Sequence, residues 1–292
     1  MDIVLFNVTT AALMVLMFNG GLALVGQSTL GGRRIPWAAV GLTGIALGAV
    51  ALQLCWSGVM GALDADPAKS GWWRVVTSVF MQNGGFGGAA WNIATLAAVA
   101  AFADWFWGAP LTLGLFAAGI LLPEQIDKLW GQTSHSTDPR NFAGSSGATY
   151  FLGATLAAAL LLHGGAAQRF DETAGQDTGP AVGQPAGQDT DRGTGHSTGH
   201  GTGQRSADEG ERGKAVRKNR LLALGVPVLG LAMWFAQENG HGLVSAYGFV
   251  LGALTWAAFR TVLRPDRDLR RPPHTTVAAL TRLVGRQARN AG

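Results

Sequence analysis

The chain alternates between long apolar runs and shorter polar intervals. Seven runs stand out, at roughly 4–26, 36–62, 88–108, 110–127, 143–163, 219–237 and 241–262. Most approach the ~20 residues that a helix needs to cross the hydrocarbon of a bilayer. Their apolar residues are continuous, not alternating, so the pattern predicts helices and argues against the strands of a membrane barrel. The fourth run is short and interrupted by Pro123, and the third opens on polar sequence. The expected fold is all-α, a polytopic bundle of membrane helices.

The intervals differ in kind. Residues 164–213 are built of Gly, Thr, Gln, Ser, His and Asp, a composition that cannot bury a core and is expected to be disordered. His196 and His200 within it read as solvated side chains, not metal ligands. The tail at 274–290 mixes Leu and Val with Arg282, Arg286 and Arg289, which suits either a short basic amphipathic helix on the inner leaflet or a frayed end.

Composition strengthens this picture. Hydrophobic residues make up 48% of the 292 and charged residues only 14%, against about a quarter in soluble domains. Mean hydropathy is +0.20 even with the polar interval included. The lone Cys55 excludes an intrachain disulfide, and its apolar setting predicts a small buried side chain. Many of the 43 glycines lie within apolar runs, where small residues let helix backbones approach closely. Met1-Asp2 leads straight into apolar sequence without a basic region, so the first run is expected to be retained and not cleaved as a signal peptide.

Charge sets the expected orientation. Arg33 and Arg34 follow run one; Lys214, Arg217, Lys218 and Arg220 precede run six; Arg260, Arg264, Arg267, Arg270 and Arg271 follow run seven. Seven crossings put all three clusters on one side, which the positive-inside rule makes cytoplasmic. The N-terminus then faces outward and the C-terminus lies in the cytoplasm, in a plasma membrane of bacterial type.

The candidate chemistry lies at two glycine-framed polar residues, Ser146 in Gly144-Ser145-Ser146-Gly147 and His241 in Asn239-Gly240-His241-Gly242. Ionisable or nucleophilic groups at the opening of a membrane helix are expensive and need a reason. Runs five and seven cross in the same direction, so Ser146 and His241 should sit at similar depth near the outer face. A serine beside a histidine is a nucleophile with its base. Gly144 and Gly147 leave room for a substrate backbone, and N–H groups at the start of run five suit a developing oxyanion. Asn92, near the outer end of run three, offers an amide for the same task, or an interhelical hydrogen bond.

On these residues the chain resembles the rhomboid family of intramembrane serine proteases. Gly144-Ser145-Ser146-Gly147 is similar to that family's Gly-x-Ser-Gly nucleophile motif, and His241 with Gly248 to its catalytic histidine and a following packing glycine. Asn92 corresponds to the asparagine that assists the oxyanion. Trp73-Arg74, followed by Thr77, is similar to the Trp-Arg motif of a large outer loop lying partly in the membrane. The resemblance covers roughly 36–262 apart from the polar interval. It implies a six-helix core preceded by one extra helix and a basic turn at 1–35. Four core helices with the outer loop then occupy 36–163, a linker 164–218, the last two helices 219–263 and a basic tail 264–292.

Two positions depart from the family pattern. Gly88 stands where a histidine that donates to the oxyanion is expected, with Gln82 and Asn83 nearby as possible substitutes. Val244 stands where a small residue is expected, with Ser245 beside it. The implied activity is hydrolysis of peptide bonds in transmembrane proteins by a Ser146–His241 dyad. It needs no cofactor or metal, and its partners are transmembrane substrates and the lipid bilayer, not nucleic acid. The alternative is an inactive relative that binds transmembrane segments. A transporter would need polar residues through the bilayer midplane, and runs two, five and seven offer almost none.

Overall fold

The structure, a computed structural model, describes residues 3–26, 33–66, 68–82, 84–129, 143–176 and 201–259. Among them are nine helices and no strands: α1 (Ile3–Val25), α2 (Trp37–Cys55), α3 (Val59–Leu63), α4 (Arg74–Ser78), α5 (Gly85–Trp107), α6 (Ala109–Leu129), α7 (Ser146–Gln176), α8 (Gly201–Gln237) and α9 (Gly240–Phe259). Seven of these, all but α3 and α4, are long and apolar enough to cross a membrane. The expected polytopic bundle is therefore present. Its first, third, fifth and seventh crossings, α1, α5, α7 and α9, all begin at one end of the bundle.

Several boundaries differ from the sequence reading. The second run does not form one helix: α2 stops at Cys55, a turn follows, and 59–63 makes the separate α3. Trp56 takes an extended conformation there, with Ser57 and Gly58 continuing the turn. Pro123 does not interrupt the fourth run; α6 passes through it, as membrane helices tolerate when neighbours satisfy the freed carbonyl. Helix also extends into the expected linker, through Gln176 and again from Gly201. Propagation from an established helix is cheap, and the Ala, Gln, Glu, Arg and Lys residues there favour it. Residues 177–200, with His196 and His200, and the whole tail 260–292 lie outside the described residues. Cys55 is exposed, not buried, because it ends α2 on the face turned away from the bundle, beside the exposed Leu54.

The bundle is organised around α7. Of its most apolar stretch 72% is buried, against 33% or less in the other spans. Small residues make this possible: Ala154, Ala157, Ala158 and Ala159 are almost wholly buried, and α1, α5, α6, α8 and α9 all pack on α7. The most extensive contact is with α9, whose buried Gly248 and Gly252 face α7. A Cβ added at Gly248 would lie 2.3 Å from the Phe151 carbonyl oxygen, and one at Gly252 2.5 Å from Thr155 Cα. Backbones this close gain dispersion and lose no side-chain entropy, the usual basis of helix association in lipid. On the other side of α9, the buried Ser245 and Gly242 lie against Gly230 of α8.

Helix α1 is no appendage. It packs on α5, α7 and α8, with Leu13 and Met17 fully or almost fully buried. Glycine accepts both sides of this contact: a Cβ on Gly153 would meet Met17 Sδ at 2.7 Å, and one on Gly21 would meet Phe102 at 2.5 Å.

At the opposite end from the helix starts, Asp104 ties α5 to the chain entering α2. Arg34 forms an ion pair with it at 2.5 Å, the Ala38 N–H donates to Asp104 Oδ2 at 2.7 Å, and Trp105 Nε1–H donates to the Arg34 carbonyl at 2.7 Å. Asp104 is fully buried. Asp104→Ala is therefore expected to lower stability by about 3–5 kcal/mol, because it leaves the Arg34 guanidinium buried without its counter-charge. Thermal unfolding in detergent measures this, and Arg34→Met combined with Asp104→Leu should recover part of the loss.

The segment between α2 and α5 folds on itself. Lys69 Nζ reaches Asp64 at 2.8 Å. Arg74 donates to the carbonyls of Ser70 (3.0 Å), Gly61 (3.3 Å) and Asp64 (3.3 Å) and lies over the Trp73 ring, 4.9 Å from its centroid. Thr77 Oγ1 donates to the Leu63 carbonyl at 2.9 Å. Trp56, Trp72, Trp73 and Phe86 are exposed here, as aromatic residues are at a membrane–water boundary.

Candidate active site

The starts of α5, α7 and α9 converge, and each carries one of the residues singled out from sequence. Gly144 comes first. Its φ of +122° is open to glycine and strained for any L side chain, and its N–H donates to the Ser78 carbonyl at 2.9 Å. This turn aims the chain into α7. The Ser145 carbonyl accepts the Thr149 N–H at 2.9 Å, so the helix opens at Ser146 itself, not a few residues earlier. The N–H groups of its first turn have no partner within the helix.

Helix α9 opens just as close. Glu238 adopts φ +51°, unusual for a residue with a side chain, and turns the chain out of α8. Asn239 then acts as the N-cap of α9. Its Oδ1 accepts the His241 backbone N–H at 3.0 Å, the usual bond from an N-cap side chain to the second helical residue. The cap positions more than the helix, because the same Oδ1 lies 3.1 Å from His241 Nδ1.

Across the gap, His241 Nε2 lies 2.9 Å from Ser146 Oγ. These two residues are 95 positions apart in the chain. The bond directions follow from the groups. An amide oxygen only accepts, so Nδ1 carries the proton and donates to Asn239 Oδ1. Nε2 is left with its lone pair and accepts the Ser146 hydroxyl. That tautomer is the one that can remove a proton from serine. Tyr150, one turn along α7 from Ser146, holds the imidazole from the side, with ring centroids 4.9 Å apart at 68°. Phe6 of α1 makes a second edge contact at 6.1 Å. Ser146 and His241 are both partly exposed, so the pair is not sealed in the core.

Asn92 lies on the other side of Ser146. A Cβ on Gly144 would sit 3.8 Å from both Asn92 Nδ2 and Ser146 Oγ, so the absent side chain leaves a space between amide and hydroxyl. Asn92 is itself aimed: its Nδ2 donates to Gln82 Oε1 at 3.0 Å. Gln82 is held by Gln53 of α2, whose side chain takes the Gln82 N–H and donates to the Gln82 carbonyl, each at 3.0 Å. Gln82 thus orients Asn92, while Asn83 lies outside the described residues. Gly88 contributes no side chain, and a Cβ there would meet nothing within 4 Å.

The remaining candidates have other places. Gly147 has open space around it, as an approaching backbone would need. Trp73 and Arg74 belong to the folded segment between α2 and α5, and Gly248 to the α7–α9 contact. Asn239, Tyr150 and Thr10 of α1, whose Oγ1 accepts from Asn239 Nδ2 at 3.2 Å, are not singled out by the sequence. Asn239 carried a readable signal, a capping residue directly before a helix start. Tyr150 is four residues after Ser146, on the same helical face. Thr10 carried none. Among the described residues no group of three or more His, Cys, Asp or Glu side chains could hold a metal ion. Comparisons of this chain with protein families, with curated proteins and with solved structures find no match.

Proposed function

We propose that this protein is an intramembrane serine endopeptidase of the rhomboid type that hydrolyses peptide bonds of transmembrane proteins. The observation that carries the reading is the 2.9 Å contact from His241 Nε2 to Ser146 Oγ, in a tautomer set by Asn239. In the proposed reaction His241 takes the Ser146 proton as Oγ attacks the substrate carbonyl. The Asn92 amide and the open N–H groups at the start of α7 face the charge that develops on the carbonyl oxygen. His241 then protonates the leaving amine. Water resolves the acyl-enzyme by the same steps in reverse roles. A helical carbonyl is hydrogen-bonded and shielded, so the substrate must be unwound where it meets Ser146. The basic clusters favour an orientation with this site near the outer face.

Asn92→Ala is expected to lower kcat by about 10²-fold with little change in KM, the usual effect of removing one oxyanion donor. A second reading is favoured by two observations. Gly88 offers no donor, and the Gly144 N–H is already engaged by Ser78, so the protein would bind transmembrane segments without cutting them. Labelling by a serine-directed fluorophosphonate, together with cleavage of membrane-spanning peptides after reconstitution, separates the two. Labelling and cleavage that both vanish in Ser146→Ala support the protease. Peptide binding that survives Ser146→Ala, with no labelling of the unmodified protein, supports the binder.

A further inference from the structure

The hydrogen-bond chain at His241 does not end at Asn239. Asn239 is 1% exposed, and its Nδ2 donates to Thr10 Oγ1 of α1 at 3.2 Å. The Thr10 hydroxyl spends its own proton on the Phe6 carbonyl, 2.7 Å away, so its lone pairs face the amide. The Thr10 carbonyl accepts the Tyr150 hydroxyl at 2.8 Å. Beside it, Thr9 Oγ1 lies 3.1 Å from Gln237 Oε1 at the end of α8. One turn of α1 therefore touches the cap of α9, the aromatic support on α7 and the end of α8.

Direction matters in this chain. An asparagine amide presents an acceptor on one side and a donor on the other. Two bonds fix its orientation here: the His241 backbone N–H requires Oδ1 on its side, and Thr10 accepts Nδ2 on the other. Were the amide reversed, Nδ2 would donate to Nδ1, the ring proton would move to Nε2, and the imidazole would donate to Ser146 instead of accepting from it. A buried amide without a partner is costly, so the hydroxyl on α1 satisfies Nδ2 and reinforces the orientation that the cap bond requires. Hydrophobic packing of α1 alone would do neither.

We propose that Thr10, on the helix preceding the six-helix core, is a positioning residue of the dyad: it accepts the Asn239 amide and, together with the α9 cap bond, holds Oδ1 toward His241 and keeps the imidazole in one tautomer. This inference rests on the protease reading for its kinetic consequence and not for its structural one. The helix ahead of the core is then part of the site.

Thr10→Val keeps shape and removes the acceptor; Thr10→Ser restores it. In the reconstituted full-length protein, Thr10→Val is expected to lower kcat and the rate of fluorophosphonate labelling about five- to tenfold, the scale of one hydrogen bond. KM should stay near that of the unmodified protein, thermal stability should fall modestly because the buried Nδ2 loses its partner, and Thr10→Ser should recover most of both the rate and the stability. In an Asn239→Ala background, Thr10→Val should have no further effect. The ¹⁵N resonances of His241 should report Nδ1 protonated in the unmodified protein and in Thr10→Ser, and a mixture of tautomers in Thr10→Val. Rates unchanged in Thr10→Val, or effects of the two substitutions that simply add, would overturn the proposal. If the unmodified protein neither cleaves nor labels, the protease reading falls, and the ¹⁵N spectra still decide the role of Thr10: an unaltered tautomer in Thr10→Val refutes it.

Discussion

Ser146→Ala and His241→Ala are each expected to abolish peptide cleavage, lowering kcat by at least about 10³-fold, and the double substitution should cost no more than either alone. The reason is that the two side chains form one device. Ser146 Oγ is a weak nucleophile unless His241 Nε2, 2.9 Å away, takes its proton, and the imidazole has no task without the hydroxyl. Residues that act as a unit are strongly non-additive. Neither substitution should disturb the fold: both sites are partly exposed, and the α9 cap is made by the His241 backbone N–H, which His241→Ala retains. The measurement is a double-substitution cycle on turnover of a reconstituted membrane-spanning peptide, with thermal unfolding as the control for integrity. Losses that multiply across the cycle would mean that the two residues act separately, and the dyad reading would be wrong.

Gly248→Val should be among the most damaging single changes outside the dyad. The added Cβ would lie 2.3 Å from the Phe151 carbonyl oxygen and 2.9 Å from Phe151 Cα. Neither neighbour is a side chain that can swing away, so α9 must move off α7. Overpacking of this kind costs about 3 kcal/mol at the upper end of its usual range. The functional loss should exceed the loss of stability. Helices α7 and α9 carry Ser146 and His241 at their openings, and a displacement of ~1 Å at reacting atoms is enough for about a 10²-fold loss of rate. Gly147→Ala is the informative contrast. A Cβ there meets nothing within 4 Å, so the fold should accept it, and any fall in cleavage would report crowding of the substrate. Unfolding midpoints and cleavage rates for both variants decide the matter. Gly248→Val with normal stability and normal turnover would show that the α7–α9 contact does not hold the dyad.

Sequence determined the membrane class, the all-helical architecture and the seven spans, because continuous apolar runs near bilayer length have few other solutions. It also singled out the helix openings where candidate polar groups gather, since Ser146, His241 and Asn92 are polar side chains at positions where lipid penalises polarity. It misjudged the second run, where Trp56 to Gly58 break a stretch that remains apolar, and Pro123, whose effect depends on neighbours that no local pattern reveals. It placed Cys55 in the interior because apolar surroundings in a sequence do not distinguish helix neighbours from lipid.

Only the tertiary structure decided which polar groups meet. Thr10 and Asn239 are separated by 229 positions, and nothing in the first apolar run marks one threonine as the partner of a distant amide. The direction of the hydrogen-bond chain through Asn239 to His241 is also a tertiary property, because an amide and an imidazole each present a donor or an acceptor according to what faces them. Local sequence supplies the groups. The packing of α1, α7 and α9 supplies their directions.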